Sequence, residues 1–212
     1  MRGKFLTIEG VEGVGKTTNI QFIKAWLEHK NISYTTTREP GGTPLAEDIR
    51  QILLAPRDEA VCNKSELLLM FAARAQHIEQ LIKPQLDKGN WLLCDRFTDA
   101  TYAYQGAGRD MDSQIISSLE SMVQGDLRPD LTLILDISPE EGLKRATQRG
   151  SLDRFEREKH EFFERVREAY LSIAARDAKR CVVIDASLEL PVVQEKIKEA
   201  LDAFWLNLPE YK

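Results

Sequence analysis

Short apolar runs recur along the chain, each followed by a longer stretch whose apolar positions return every three or four residues. Residues 4–9 (KFLTIE) predict a first strand and residues 15–29 a helix. Asn31 opens a second strand over residues 32–38. Residues 44–55 place Leu45, Ile49, Ile52 and Leu53 at helical spacing, and residues 65–88 read as a helix capped by Ser65 and bent at Pro84. Trp91–Asp95 (WLLCD) and Leu131–Asp136 (LTLILD) are nearly continuous apolar runs ending in an acid, the pattern of strands buried on both faces. Residues 139–149 and 155–178 are helical and densely charged, Cys181–Asp185 is a fifth strand, and Leu190–Leu206 a last helix.

Strands separated by helices pair in parallel through right-handed crossovers. The expected fold is therefore α/β, a doubly wound five-stranded parallel sheet with helices on both faces. No repeat, low-complexity tract or Gly/Ser linker divides the chain, so residues 1–212 read as one domain with a short lid near 144–158. Ligands of such sheets sit at the C-terminal strand ends. That rule gives the acids Glu9, Asp95 and Asp136 one rim.

Charge narrows the partners. Twenty-nine Lys and Arg against 34 Asp and Glu leave a net charge of −5, without the basic excess of a dedicated nucleic-acid binder. The longest apolar run, residues 67–73, is far short of the roughly 20 residues of a membrane span. Thr7 and Glu9 interrupt any signal-peptide core. Cys62, Cys94 and Cys181 are too scattered for a disulfide framework or a zinc site, which points to a reducing, cytoplasmic location. His29, His77 and His160 read as helix-surface residues with no chemistry of their own.

The decisive segment follows the first strand. Gly10-Val11-Glu12-Gly13-Val14-Gly15-Lys16-Thr17 matches G-x-x-x-x-G-K-[ST] and opens a helix. Its glycines let backbone N–H groups curl around phosphate oxygens, at the positive end of the helix. Lys16 can bridge the β- and γ-phosphates, and the Thr17 hydroxyl can ligate Mg²⁺. A chance match in a Gly-rich turn would not share this strand–loop–helix context. No N-K-x-D motif marks a GTPase. Asp95-Arg96 alone would be an ordinary strand-end turn; beside a phosphate loop it suits a small kinase, the acid near Mg²⁺ and the arginine on a substrate phosphate.

Residues 9–18 (EGVEGVGKTT), 38–43 (REPGGT), 71–74 (FAAR), 95–97 (DRF) and the lid-like 151–156 (SLDRFE) together resemble the bacterial thymidylate kinase family, in order and spacing, over nearly the whole chain. The resemblance implies ATP + dTMP → ADP + dTDP with Mg²⁺, in a homodimer joined through apolar helix faces such as residues 53–54 or 115–123. It places Gly10, Val11, Glu12, Gly13, Val14, Gly15, Lys16, Thr17 and Thr18 around the ATP phosphates, with Thr17 and Asp95 at the metal. An acid at Glu12 goes with a class of the family that takes its catalytic arginine from the lid, here Arg149 or Arg154. Glu12 would then bond the sugar hydroxyl or hold a lid arginine. Arg38, Arg96 and Glu39 are expected near the acceptor phosphate, the last also near magnesium or deoxyribose.

Phe71 and Arg74 lie three apart, on one side of a helix. With Leu67, Leu68 and Met70 they could simply be core under a snorkelling arginine. By resemblance Arg74 bonds the O4 edge of thymine. Many relatives place an aromatic four residues before that arginine, where this chain has Met70, so either Met70 or Phe71 floors the base, with Phe71 ranked ahead. Thr101 is expected at the base edge, Tyr104 beneath the 2′-carbon of the sugar and Gln105 in the same pocket. The rival readings are a kinase for another pyrimidine nucleotide and a regulator that holds ATP without turnover.

Overall fold

Five strands lie in the order β2-β3-β1-β4-β5, all parallel: β1 (Phe5–Glu9), β2 (Tyr34–Arg38), β3 (Trp91–Asp95), β4 (Leu131–Asp136) and β5 (Cys181–Asp185). The computed structural model describes residues 2–148 and 153–208. β1 lies between β3 and β4 because the chain first builds outward to one side and then to the other. That reversal leaves a crevice at the C-terminal end of β1, where the phosphate loop begins.

The central strands show no polar alternation because both faces are covered. Leu6, Ile8 and Leu93 share one core with Ile23 and Leu27 of α1 (Lys16–His29) and with Ile197 and Leu201 of α9 (Leu190–Leu206). Phe5, Leu92 and Cys94 point the other way, into a cluster with Ile78, Ile82 and Leu86. Adjacent residues serve opposite faces, as the two-residue period of a strand requires. Burying each of these side chains stabilises the fold by roughly 1.5–3 kcal/mol.

The remaining helices are α2 (Pro44–Leu54), α3 (Asn63–His77), α4 (Lys83–Asp87), α5 (Thr98–Thr101), α6 (Ser113–Val123), α7 (Pro139–Thr147) and α8 (His160–Arg176). Thr43 caps α2 through its hydroxyl and Asp112 caps α6 through its carboxylate. The expected five-stranded α/β sheet is present, with shifted boundaries. The second strand starts at Tyr34, and the helix expected from Ser65 starts at Asn63. That helix is interrupted by a π-helical turn, Ile78–Ile82, just before Pro84. Pro84 has no N–H to donate, and the turn before it takes the wider hydrogen-bonding pattern. A second π-helical stretch, Tyr102–Gly108, continues α5 where the sequence suggested no element.

The helix expected from residue 155 begins only at His160. Before it the Asp153 carboxylate accepts the N–H groups of Phe155 and Glu156, fixing a turn in place of a helix. Among the described residues no helix is long and apolar enough to cross a membrane.

Candidate active site

Gly10, Gly13 and Gly15 all have positive φ (132°, 71° and 92°), so the chain from β1 to α1 is one that glycine alone follows without strain. At Gly13 a Cβ would come within 1.9 Å of the Gly142 carbonyl oxygen. Gly15 stands at the head of α1 in the left-handed region and supplies no side-chain cap. The first N–H groups of the helix are thereby kept for an anion. Glu12, Gly13, Val14, Gly15, Lys16, Thr17 and Thr18 line a cleft of about 600 Å³, whereas Gly10 and Val11 sit behind it. The carbonyls of those two accept bonds from Lys16 Nζ, each 3.2 Å long. Burial, aided by nearby Arg96, pushes the Lys16 ammonium down to about 8.

The loop acid has partners of its own. Glu12 Oε1 accepts from Arg96 Nη2 at 2.9 Å and Oε2 from the Tyr104 hydroxyl at 2.6 Å. Arg96, with φ 70°, also donates to the Tyr170 hydroxyl at 3.1 Å and lies 4.7 Å over the Tyr104 ring. The Tyr170 hydroxyl donates to Glu9 Oε2 at 2.8 Å, while Glu9 Oε1 accepts the Phe97 amide at 2.7 Å. Burial first, and Asp99 second, push the Glu9 carboxyl up to about 8. Among the described residues Glu12 therefore holds Arg96 and Tyr104.

Glu9, Asp95 and Asp136 do share the rim of the sheet, but their situations differ. Asp95 lines the cleft, and its buried Oδ1 has no hydrogen-bond partner. Asp136 lies outside the cleft lining, held by Arg167 at 2.6 and 2.8 Å.

At the other end of the cleft Arg74 is buried between the rings of Phe71 and Phe97, 4.9 and 5.3 Å from its guanidinium. Its Nε donates to Glu39 Oε2 at 2.7 Å and its Nη2 to Thr101 Oγ1 at 2.9 Å. Nη1 is buried with no partner. His77 Nδ1 lies 3.0 Å from Glu39 Oε1, and His77 Nε2 lies 2.7 Å from Thr37 Oγ1. Burial works to raise the Glu39 carboxyl, yet Arg74 and His77 hold it below its ordinary range. His77 is not the surface residue expected from the sequence; it is fully buried. Its spacing of three from Arg74 signals a shared helix face, though not that the face is buried.

Met70, Thr101, Tyr104 and Gln105 line the cleft, but Phe71 does not. Phe71 packs with Leu67 and Ile116 beneath Arg74, so of the two residues expected at the base only Met70 reaches the cleft lining.

Two further cations line the middle of the cleft. Arg38 is paired with Glu47 at 2.8 and 3.2 Å; Arg50 donates to the Pro40 carbonyl at 2.9 Å. Burial lowers the Arg50 guanidinium from its ordinary value. Arg50 had no motif to announce it, only a place one helical turn beyond Glu47. Arg145, Asp153, Phe155 and Glu156, all from the stretch expected to form the lid, also line the cleft.

Arg154 is placed differently from expectation. Its Nε donates to the Leu53 carbonyl at 2.7 Å and its Nη1 pairs with Glu66 at 2.7 Å, outside the cleft lining. Arg149, the other lid candidate, lies outside the described residues. Among the described residues no group of three or more His, Cys, Asp or Glu could hold a metal ion alone.

The arrangement joins a phosphate cradle, a row of arginines and a deep guanidinium in one cleft. A family model described as thymidylate kinase matches residues 8–197. The chain belongs to the thymidylate kinase family. The thymidylate kinase of Hahella chejuensis is 55% identical over 202 residues, covering 95% of this chain and 97% of that one. The thymidylate kinase of Teredinibacter turnerae is 55% identical over 96% of this chain and all of its own length. The crystal structure of thymidylate kinase from Ehrlichia chaffeensis aligns with a TM-score of 0.76 at 32% identity, over 95% of this chain and 100% of that one. This thymidylate kinase family member thus shares both fold and full-length sequence with its relatives.

Proposed function

We propose that the chain, acting as one domain, transfers the γ-phosphoryl group of ATP to dTMP, giving ADP and dTDP. The observation that carries this reading is the buried Arg74 guanidinium, with Nη1 unpartnered, at the far end of the cleft from the phosphate loop. A buried donor without a partner costs about 1–3 kcal/mol, a cost that a base carbonyl such as O4 of thymine would remove. Met70 then floors the base, Thr101 and Gln105 border its edge, and Tyr104 lies under the sugar, leaving no room for a 2′-hydroxyl.

Phosphoryl transfer needs alignment and charge neutralisation more than covalent help. The N–H groups from Gly13 to Thr18 and the Lys16 ammonium hold the ATP phosphates. Arg38, Arg50 and Arg96 gather the acceptor phosphate, and Arg96 must loosen its hold on Glu12 to do so. Glu39 acts chiefly by fixing Arg74. The Thr17 hydroxyl and Asp95, with its unpartnered Oδ1, would hold a Mg²⁺ ion. When bound, that ion supplies neutralisation of the phosphate charge. Since Arg154 is committed to Glu66, Arg149 is the lid cation left to meet charge in the transition state.

Leu45, Ile52, Leu68, Ile115 and Met122 are exposed on α2, α3 and α6, and α3 packs against both of the others. These faces, without Leu53, which is buried and not open to a partner as expected, support a homodimer, and the scattered cysteines support a cytoplasmic location. The test is a coupled ADP-release assay with Mg²⁺ and ATP across dTMP, dUMP, UMP and CMP. The highest kcat/KM is expected with dTMP; a preference for UMP or CMP would move the chain to another pyrimidine nucleotide.

A further inference from the structure

We propose that Glu66 is a positioning residue that fastens both the segment entering α8 and the cleft amide Gln105 to one buried carboxylate. The proposal rests on the dTMP kinase reading only for its kinetic consequence. Glu66 lies in the first turn of α3 and has no exposed surface. A carboxylate buried alone would be strongly destabilising, so its partners decide what it does.

Four N–H donor groups converge on it. Gln105 Nε2 donates at 2.9 Å, Arg109 Nε and Nη2 at 3.2 Å each, and Arg154 Nη1 stands 2.7 Å away. Two of these residues come from the chain around the second π-helical stretch and one from the turn before α8. Arg109 then reaches on to Glu158 at 2.6 Å, tying the same turn a second time.

The turn is held further by the Arg154 amide, which donates to the Leu54 carbonyl at 3.1 Å at the end of α2. The Arg154 guanidinium lies 4.3 Å over the Phe155 ring, and that ring meets Tyr104 edge-on with centroids 6.1 Å apart. Phe155 and Gln105 both line the cleft, whereas Glu66, Arg109 and Arg154 do not. Glu66 thus makes no part of the cleft wall yet sets two residues that do. An apolar residue of the same volume would fill the space at the head of α3 but would leave two guanidinium groups without their common anion.

Glu66→Gln keeps the shape and removes the charge, and Arg154→Met removes one arm while leaving Glu66 paired with Arg109. Hydrogen exchange on the free protein reads the fastening without any substrate. In both variants the amides of residues 154–158 should exchange about tenfold faster than in the wild type, beyond any change in the slowest core amides. In the kinetic assay Glu66→Gln should raise KM for dTMP about five- to tenfold through Gln105, while Arg154→Met should leave that KM within about twofold. Glu66→Asp should not rescue, because a carboxylate one methylene shorter cannot reach all three donor residues. If exchange at 154–158 stays at the wild-type rate in whichever variant folds, Glu66 only fills the core and the proposal is overturned. A wild-type protein inert towards dTMP, with the exchange result intact, would sink the functional reading and leave the fastening standing.

Discussion

The two ends of the cleft are built by different means. At the phosphate end the work is done by backbone: three glycines of positive φ and the head of α1, all within eight consecutive residues. At the base end it is done by side chains from four separate elements. Arg74 and His77 come from α3, Glu39 from the loop after β2, Thr37 from β2 itself and Thr101 from α5. A backbone cradle depends on chain geometry and tolerates most side chains at its variable positions, so an acid such as Glu12 can sit inside it. A side-chain network has no such tolerance, because each buried donor or acceptor is counted on by its neighbour.

The largest effect should come from the one side chain that the phosphate end does require. Lys16→Ala is expected to lower kcat by about 10³-fold while circular dichroism stays native, since the ammonium bonds loop carbonyls and belongs to none of the apolar clusters. Retention of more than about a tenth of the wild-type kcat would show that the backbone cradle suffices.

Arg74→Ala tests the base end. Losing a charge-assisted bond to the base costs about 1.5–3 kcal/mol, so KM for dTMP should rise roughly 10- to 150-fold with KM for ATP little changed. Equal rises for both substrates would mean that Arg74 holds the Glu39–His77 network for its own sake.

The last effect is on stability, not on turnover, and concerns Glu9, behind the phosphate loop. Its carboxyl is raised from 4.5 to about 8 in the fold, so the protonated form is the one the fold favours. That contribution is fully present below pH 4.5, declines as pH rises and is lost above about 8. Glu9→Gln fixes the neutral form. Urea unfolding at pH 5, 7 and 9 should show the variant gaining on the wild type at each step. Parallel pH profiles would place the ionisation elsewhere and leave the phosphate end as purely a backbone device.

The same contrast explains what could be read from the sequence. The phosphate loop and the five strands are local patterns, set by neighbours a few residues away, and the sequence displays them directly. The base end is not local. Met70 and Phe71 differ by one position, which on a helix is a rotation of about 100°, enough to send one to the cleft and the other to the core. His77 follows Arg74 by three, and the spacing showed a shared face but not that the face was buried. Arg154 has the charge wanted of a lid arginine, but its direction is set by Glu66, 88 positions away in the chain. The π-helical stretch of Tyr102–Gly108 had no signal at all, because a widened turn uses the same residues as an ordinary helix.

Glu12 gives the phosphate end a property beyond catalysis. Its carboxylate, bonded to Arg96 and to Tyr104, is an anion tethered inside an anion site. Any free orthophosphate or sulfate that approaches Arg96 competes with a group present at high effective concentration, which dilution and diffusion do not remove. A nucleotide, unlike a small anion, would bring base and sugar contacts as well as phosphate to that competition.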